Sequence, residues 1–274
     1  MTEEGGPNRG AGVVVYYWPR GFLYLSPRFA IDRGDQRPTR RPSIRLMLVR
    51  AGHIEIELVD GTCIRTSAVL MGPEVKRRRI VTEDKGFVLL DLPLSTPEHA
   101  ALAPLLARDP VRLVPAASFA ALSADLDRAA AGALGAPEAS ALRHRLVQAV
   151  GGATLEPRPH DERVQAALAF IDRHRLEDTS LERVAAAVHL SPDRLRHLFK
   201  EQLGCTISHY ARTAAVWRAL SQWAHGEPLT AVAHDVGFHD YAHSHHAFRE
   251  MFGFPPSMLK GKGVRGGVRL ISGF

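Results

Sequence analysis

Along the chain the hydrophobic positions change period. Between residues 13 and 92 apolar side chains alternate with polar ones or gather in short runs: Val13 to Trp18, Ile44 to Val49, Ile54 to Leu58, Cys63 to Leu70 and Phe87 to Leu92. A two-residue period is that of a strand with one buried face, and Asp60-Gly61 between two of the runs supplies a hairpin turn. From Pro97 to Val150 the sequence turns Ala- and Leu-rich, with Leu142, Leu146, Ala149 and Val150 at helical spacing. Gly151-Gly152 and Pro157-Arg158-Pro159 then read as a partly stiffened linker. The pattern predicts an α+β chain. A small antiparallel barrel or sandwich spans 11–96, helices span 97–150, a linker spans 151–160, and an all-helical domain spans 161–260. Residues 1–10 are expected to be a disordered N-terminus and 261–274 a flexible, Gly-rich basic tail, too glycine-rich to fold by itself.

The helical domain contains one pattern twice. Leu181-x-x-Val184-Ala185 returns as Leu229-x-x-Val232-Ala233, and Phe199-Lys200-Glu201-x-Leu203-Gly204 returns as Phe248-Arg249-Glu250-x-Phe252-Gly253. In the first copy Thr179 or Ser180 can cap a short helix that buries Leu181, Val184, Ala185 and Val188, and small Ala185 permits a steep helix crossing. After a break at His189-Leu190, Ser191 offers a cap oxygen and Pro192 suits the first helical position, where no amide donor is needed. The second helix buries Leu195, Leu198 and Phe199 and ends at Gly204. Asp193, Arg196, His197 and Lys200 are left facing outward. Such a polar, cationic face on the second helix of a helix-turn-helix suits a DNA major groove, with Arg196 the best base reader.

The second copy buries Leu229, Val232, Ala233 and Val236, turns through Gly237-Phe238, takes Asp240 as its cap, and buries Phe248 and Phe252. Its outward residues are Ala242, His245, His246 and Arg249. Between the copies Ile207 to Ala224 reads as one helix, with Ile207, Tyr210, Ala211, Ala214, Trp217 and Leu220 at core spacing. A rigid spacer can hold two recognition helices on successive grooves of one DNA face.

Length and composition narrow the reading without deciding it. At 274 residues, 45% of them apolar, the chain can fill two cores, and a net charge of +6 suits a polyanion partner. No apolar run approaches the ~20 residues of a membrane span, and Met1-Thr2-Glu3-Glu4-Gly5-Gly6 lacks a signal-peptide core, so a cytoplasmic protein is expected. Cys63 and Cys205, in different predicted domains, argue against a disulfide framework or a cysteine metal site and read as small buried hydrophobes.

Residues from about 161 to 260 resemble the DNA-binding domain of the AraC/XylS family of bacterial transcription regulators. The resemblance rests on Leu190-Ser191-Pro192-x-x-Leu195-x-x-Leu198-Phe199-Lys200-x-x-x-Gly204 in the first copy. In the second it rests on Val232-Ala233-x-x-Val236-Gly237-Phe238-x-Asp240-x-x-His243 with Phe248-Arg249-x-x-Phe252-Gly253-x-x-Pro256-Ser257. It implies a ligand-responsive, sequence-specific regulator, an activator that meets RNA polymerase and pairs as a homodimer. Three departures stand out. Ser244 replaces the family's usual Phe or Leu and should loosen the second recognition helix. His246 stands where many members carry Arg, and Thr213-Ala214-Ala215-Val216-Trp217 replaces an often Arg-rich stretch of the spacer. The first motif is therefore expected to dominate sequence reading.

The strand order and the Gly72-Pro73 turn of the first half resemble the cupin-like sensory domains that precede many such DNA-binding domains. Cupin enzymes hold a metal with several His and a Glu, whereas His53 is the only His here before His99. No catalytic constellation is legible, so neither an enzyme nor a metal or other cofactor is expected. Two basic clusters, Arg37/Arg40/Arg41 and Lys76/Arg77/Arg78/Arg79, either bind an anionic effector through bidentate pairing or form a solvated loop surface. The helices over 97–150 either pair two subunits, as the resemblance implies, or only cover the β domain. His239 and His243 have the i, i+4 spacing of a zinc pair, but His245 and His246 fall on the outward face, which favours DNA contact. Two further readings stay in view: a cupin-type small-molecule enzyme with a DNA-binding appendage, and a protein-interaction module fused to a DNA-binding domain.

Overall fold

The structure, a computed structural model, describes residues 12–18, 21–27, 29–32, 42–82, 86–152, 160–224, 227–252 and 268–271. The strands are β1 (Val13–Tyr17), β2 (Phe22–Ser26), β3 (Ala30–Asp32), β4 (Ser43–Val49), β5 (Ile54–Leu58), β6 (Cys63–Thr66), β7 (Ala68–Met71), β8 (Arg77–Thr82), β9 (Phe87–Pro93), β10 (Val111–Leu113) and β11 (Val268–Ile271). They form a seven-stranded sheet in the order β10-β7-β4-β9-β2-β1-β11 and a four-stranded sheet in the order β3-β8-β5-β6. The β domain is thus a two-sheet sandwich, and among the described residues neither sheet closes into the barrel that the sequence suggests.

Strand alternation divides the large sheet between two cores. On β4, Ile44, Leu46 and Leu48 join one cluster, while Met47 and Val49 join another with Ile54, Ile56 and Ile80 of the small sheet. The first cluster is completed by α2 (Ser123–Ala130) and α3 (Ala136–Gly151), whose Leu126, Ala129, Leu142, Leu146 and Val150 are buried on the sheet. Fully buried Tyr16 ties β1 to these helices: its hydroxyl donates to the Ala129 carbonyl at 3.1 Å and accepts from the Leu134 amide at 3.3 Å. The apolar stripe of the segment 97–150 therefore covers the sheet, and α3 turns Ala141, His144, Arg145 and Gln148 outward.

Four expectations change. The run from Cys63 to Leu70 is two strands, because Ser67 breaks it and β6 and β7 belong to different sheets. Cys63 is exposed, at the first position of edge strand β6; Cys205 is buried, and burial pushes its thiol pKa up. The cluster Arg77-Arg78-Arg79 lies within strand β8 and not in a loop, pairing with β5 across an irregularity at Glu57/Leu58. The tail expected to be flexible carries β11, paired in parallel with β1 from Val13↔Val268 to Tyr16↔Ile271. Val-Arg-Leu-Ile suits a strand, and β1 offers it an otherwise unpaired edge. Arg37, Arg40 and Arg41, the N-terminal ten residues, most of the linker and Pro256-Ser257 lie outside the described residues.

The helical domain consists of α4 (Glu162–Arg173), α5 (Leu181–Ala187), α6 (Pro192–Leu203), α7 (Ile207–Ala224), α8 (Leu229–Asp235) and α9 (Tyr241–Phe252). Its first half closes around Val164, Leu168, Ile171, Val184, Leu195 and Phe199, and Leu94, just after β9, is buried in that same core. Its second half, around Val232, Val236, Phe238, Phe248 and Met251, is continuous with the core between the two sheets. The side chains of Leu229 and Phe252 are outside the described set.

Candidate nucleic-acid interface

α6 and α9, the second helices of the two units, are built by short-range rules. Ser180 caps α5 and Ser191 caps α6, each side chain accepting from the amide three residues on, Arg183 and Arg194 respectively, at 3.3 Å. Between them His189 takes a left-handed turn at φ 55°, and Gly204 closes α6 at φ 70°. Leu195, Leu198, Phe199 and Leu203 are buried, and this orients the opposite face outward. Asp193, Arg196, His197 and Lys200 are all exposed. Arg196 Nη1 lies 2.7 Å from Asp193 Oδ1, an exposed pair that contributes at most about 1 kcal/mol and leaves the guanidinium free to exchange partners.

The second unit repeats the plan with different fittings. Asp240 Oδ1 accepts from the His243 amide at 2.6 Å at the start of α9, which holds its carboxyl below the usual carboxylate range. The His243 ring packs edge-on against buried Phe238 at 5.2 Å, so this histidine serves the turn. Ala242, His246 and Arg249 are exposed, whereas His245 is half-buried beside Tyr241. Ser244 turns its hydroxyl back to the Tyr241 carbonyl at 2.8 Å and adds nothing to the apolar core, which rests on Ala247, Phe248 and Met251. Gly237 sits at φ 90°, where a Cβ would come within 2.7 Å of the Leu176 amide nitrogen; that amide donates to the Val236 carbonyl.

The helix-turn-helix domain family matches residues 184–262. Regulatory protein PocR of Salmonella typhimurium is 30% identical over 108 residues, 39% of this chain and 36% of that protein. The arabinose operon regulatory protein of Escherichia coli is 33% identical over 105 residues, 37% of this chain and 36% of that protein. The C-terminal domain belongs to the AraC-type helix-turn-helix family. The chain spans little more than a third of the length of these curated relatives. Across both domains the fold is like that of ToxT from Vibrio cholerae: the apo K231A form superposes with a TM-score of 0.60 over 86% of this chain and 96% of that one, at 9% identity. A wild-type ToxT structure bound to an unsaturated fatty acid gives 0.55 over 90% and 97%, also at 9% identity.

In this AraC-type domain the spacer α7 runs from Ile207 to Ala224, about 27 Å at 1.5 Å per residue. Ile207, Tyr210, Ala211 and Ala214 pack on the first unit, while Ala215, Val216 and Trp217 join the core of the second. The apolar stretch that replaces the Arg-rich one is therefore interior. Arg218, which the sequence reading does not single out, donates to the carbonyls of Ile171 and Asp172 at the end of α4. A helix C-terminus with its unsatisfied carbonyls is a favoured partner for a cation. Exposed Arg194 on the first turn of α6 is a second cation that the reading passes over, because its outward direction is legible only once the pitch of α6 is fixed.

The effector candidates part company. Lys76 is exposed, and Arg79 lies 3.5 Å from Glu55 in a network with His53 and Arg65. Arg77 is buried at 5% exposure, opposite Leu58, and its Nε and Nη1 have no hydrogen-bond partner among the described residues.

Proposed function

We propose that the protein is a sequence-specific, DNA-binding transcription regulator of the AraC type that reads two successive major grooves through α6 and α9 and responds to a small anionic molecule held by the β domain. The observation that carries it is the exposure of both outward faces at the two ends of one continuous helix. Asp193, Arg196, His197 and Lys200 meet one groove, and Ala242, His245, His246 and Arg249 the next. The first unit carries the stronger base reader, Arg196, against the two imidazoles and Arg249 of the second.

The fatty acid in the ToxT structure supports an effector with a carboxylate, although the identity is low. So does the interior of the sandwich. Strand alternation turns Arg45, fully buried and donating to the Gly72 carbonyl, and Asp91 toward the space between the sheets, and the register shift at Glu57/Leu58 sets Arg77 opposite Leu58 on that same side. An anion between the sheets would pair with Arg77, whose Nε and Nη1 have no hydrogen-bond partner among the described residues. Of the effector candidates within the described residues, Lys76 and Arg77, only Arg77 is buried; Arg37, Arg40 and Arg41 lie outside the described residues. The protein acts as an activator, a homodimer and a partner of RNA polymerase in the cytoplasm, by extension from the domain family, and performs no catalysis. Among the described residues no helix is long and apolar enough to cross a membrane.

Selection of bound genomic fragments, with and without small-molecule extract, tests this reading. Enrichment of a defined site that shifts with the extract is the expected result. Recovery of fragments indistinguishable from random DNA would overturn it.

A further inference from the structure

The two helix-turn-helix units touch at a second place besides α7, where the chain just after α4 runs against the end of α8. Arg175 Nη2 donates to the His234 carbonyl at 2.8 Å, and the Leu176 amide donates to the Val236 carbonyl at 2.9 Å. Leu176 packs against the cores of both units. Gly237 lies so close that a Cβ there would meet Leu176, Arg175 and Glu177 at 2.7, 3.1 and 3.2 Å. Another link runs the opposite way. Arg218 leaves α7 between Trp217 and Ala219, which pack on the core of the second unit, and its Nη1 donates to the Ile171 and Asp172 carbonyls of the first at 3.0 and 3.2 Å.

We propose that Arg175 and Arg218 are positioning residues that lock the two helix-turn-helix units into one rigid head, and thereby fix the spacing between the two DNA sub-sites that a single chain accepts. A lone helix between two bodies resists bending but leaves them able to rock about its axis. Links placed off that axis remove this freedom. Both arginines end on a helix C-terminus, where the last carbonyls have no partner inside the helix and the helix dipole favours a cation. The end of α4, in the first unit, is held by a guanidinium from the part of α7 that serves the second; the end of α8, in the second unit, is held by a guanidinium from the first.

Neighbouring groups hold each guanidinium in place. Beside half-buried Arg218, the Tyr210 hydroxyl of α7 donates to the Asp172 carboxylate at 3.0 Å, so two side chains of α7 grip the end of α4. Arg175 is more exposed, and its Nη1 lies 3.1 Å from Glu177 Oε1, a pair that spans the turn. Hydrogen bonds from a charged donor are stronger than those between neutral groups, which suits a link meant to hold a geometry. None of these contacts uses the outward residues of α6 or α9, so the lock is separate from base reading.

The consequence for DNA rests on the regulator reading proposed above, whereas the lock itself does not. Each base pair inserted between two sub-sites turns one against the other by about 34° and moves it by about 3.4 Å, given 10–10.5 pairs in a turn of 34–36 Å. Units joined by a pliable hinge could follow that change by swinging. A locked pair cannot follow it and gives up the second sub-site, so spacing becomes an element of specificity apart from any base contact.

Two measurements on the full-length protein decide the matter. The first needs no DNA: in a Cys63→Ser background, with Cys205 buried, spin labels on Glu201→Cys of α6 and Ala242→Cys of α9 report the distance between the units by double electron–electron resonance. One narrow distance is expected with both arginines present, and a broad distribution in Arg175→Met/Arg218→Met, which keeps the aliphatic stems and removes the donors. Arg175→Lys/Arg218→Lys, which restores a cationic donor at each site, should return the narrow distance. A broad distribution with both arginines present, or a narrow one unchanged in the Met pair, overturns the proposal. The second uses the selected operator with one base pair inserted between the sub-sites, which should weaken the wild type about tenfold or more and the Met pair about threefold or less. Equal penalties in the two proteins overturn the proposal, because a loss of stability alone would lower affinity for both operators alike. Failure to select any operator counts against the regulator reading, and the distance distribution still decides the lock.

Discussion

At Gly237 the second helix-turn-helix passes so close to the turn at Leu176–Asp178 that no side chain fits. A left-handed backbone with a Cβ 2.7 Å from the Leu176 amide makes Gly237→Ala unfavourable twice over, and a loss of about 1–3 kcal/mol is expected, measured as a lowered urea midpoint. Under the proposed function Arg196 and Lys200 of α6 have separable roles, base reading and phosphate contact. Arg196→Ala should lose about 10- to 100-fold in discrimination between operator and random DNA, whereas Lys200→Ala should weaken both about equally and flatten the salt dependence. Anisotropy titrations at two salt concentrations distinguish these outcomes. His99, on α1 (Pro97–Leu102) and 2% exposed, gives a pH dependence of stability. Its pKa falls from the ordinary 6.5 to about 3 in the fold, so the unfolded chain takes up a proton in this range that the native state refuses. Its contribution is therefore complete above about pH 6.5 and is lost progressively as pH falls toward 3, and His99→Phe should reduce that slope in denaturant melts.

Elements whose signal is local were legible in the sequence. Ser191 and Gly204 bracket α6 as read, and α7 spans Ile207–Ala224 as the spacing predicts, because caps and helical period depend on near neighbours. What depends on distant partners was not. β6 and β7 look like one strand until the sheets are known, and β8 hides inside a run of arginines because only Arg77 points inward while Arg78 is exposed. β10 lies within a segment whose composition is helical, and β11 needs the edge of β1, more than 250 residues away, before four residues can become a strand. Of the site, the outward residues of α6 and α9 follow from pitch alone. The burial of Arg77 and the contacts of Arg175 and Arg218 arise only from tertiary packing. The same packing explains the apolar middle of α7, where departure from the Arg-rich pattern marks a seam.

That seam joins the whole molecule. Trp217 of α7 packs against Phe22 with ring centres 5.3 Å apart and planes tilted by 49°, and lies 6.0 Å from Tyr17, whose hydroxyl donates to the Trp217 carbonyl at 3.3 Å. His209 Nδ1 lies 3.3 Å from Glu74, a residue held at φ 62° on the turn before β8. The β domain therefore packs directly on α7, the helix between the two helix-turn-helix units, and under the proposed function an effector between the sheets would have a short route to α6 and α9. Trp217→Ala should remove a ring shared by both domains and cost about 3–5 kcal/mol. Differential scanning calorimetry should then resolve one transition into two as the domains uncouple. Should the variant keep a single transition at the wild-type temperature, the contact is not a coupling element.

In the proposed function α7 holds α6 and α9 so that their outward faces enter grooves one helical turn of DNA apart. Hydroxyl-radical footprinting of the full-length protein on its selected operator measures this directly. Two protected tracts on one face of the duplex, with centres about 10–10.5 base pairs apart for each bound chain, are predicted, the tract under α9 being lost first when salt is raised. A single tract per chain, or two tracts on opposite faces of the duplex, would contradict it.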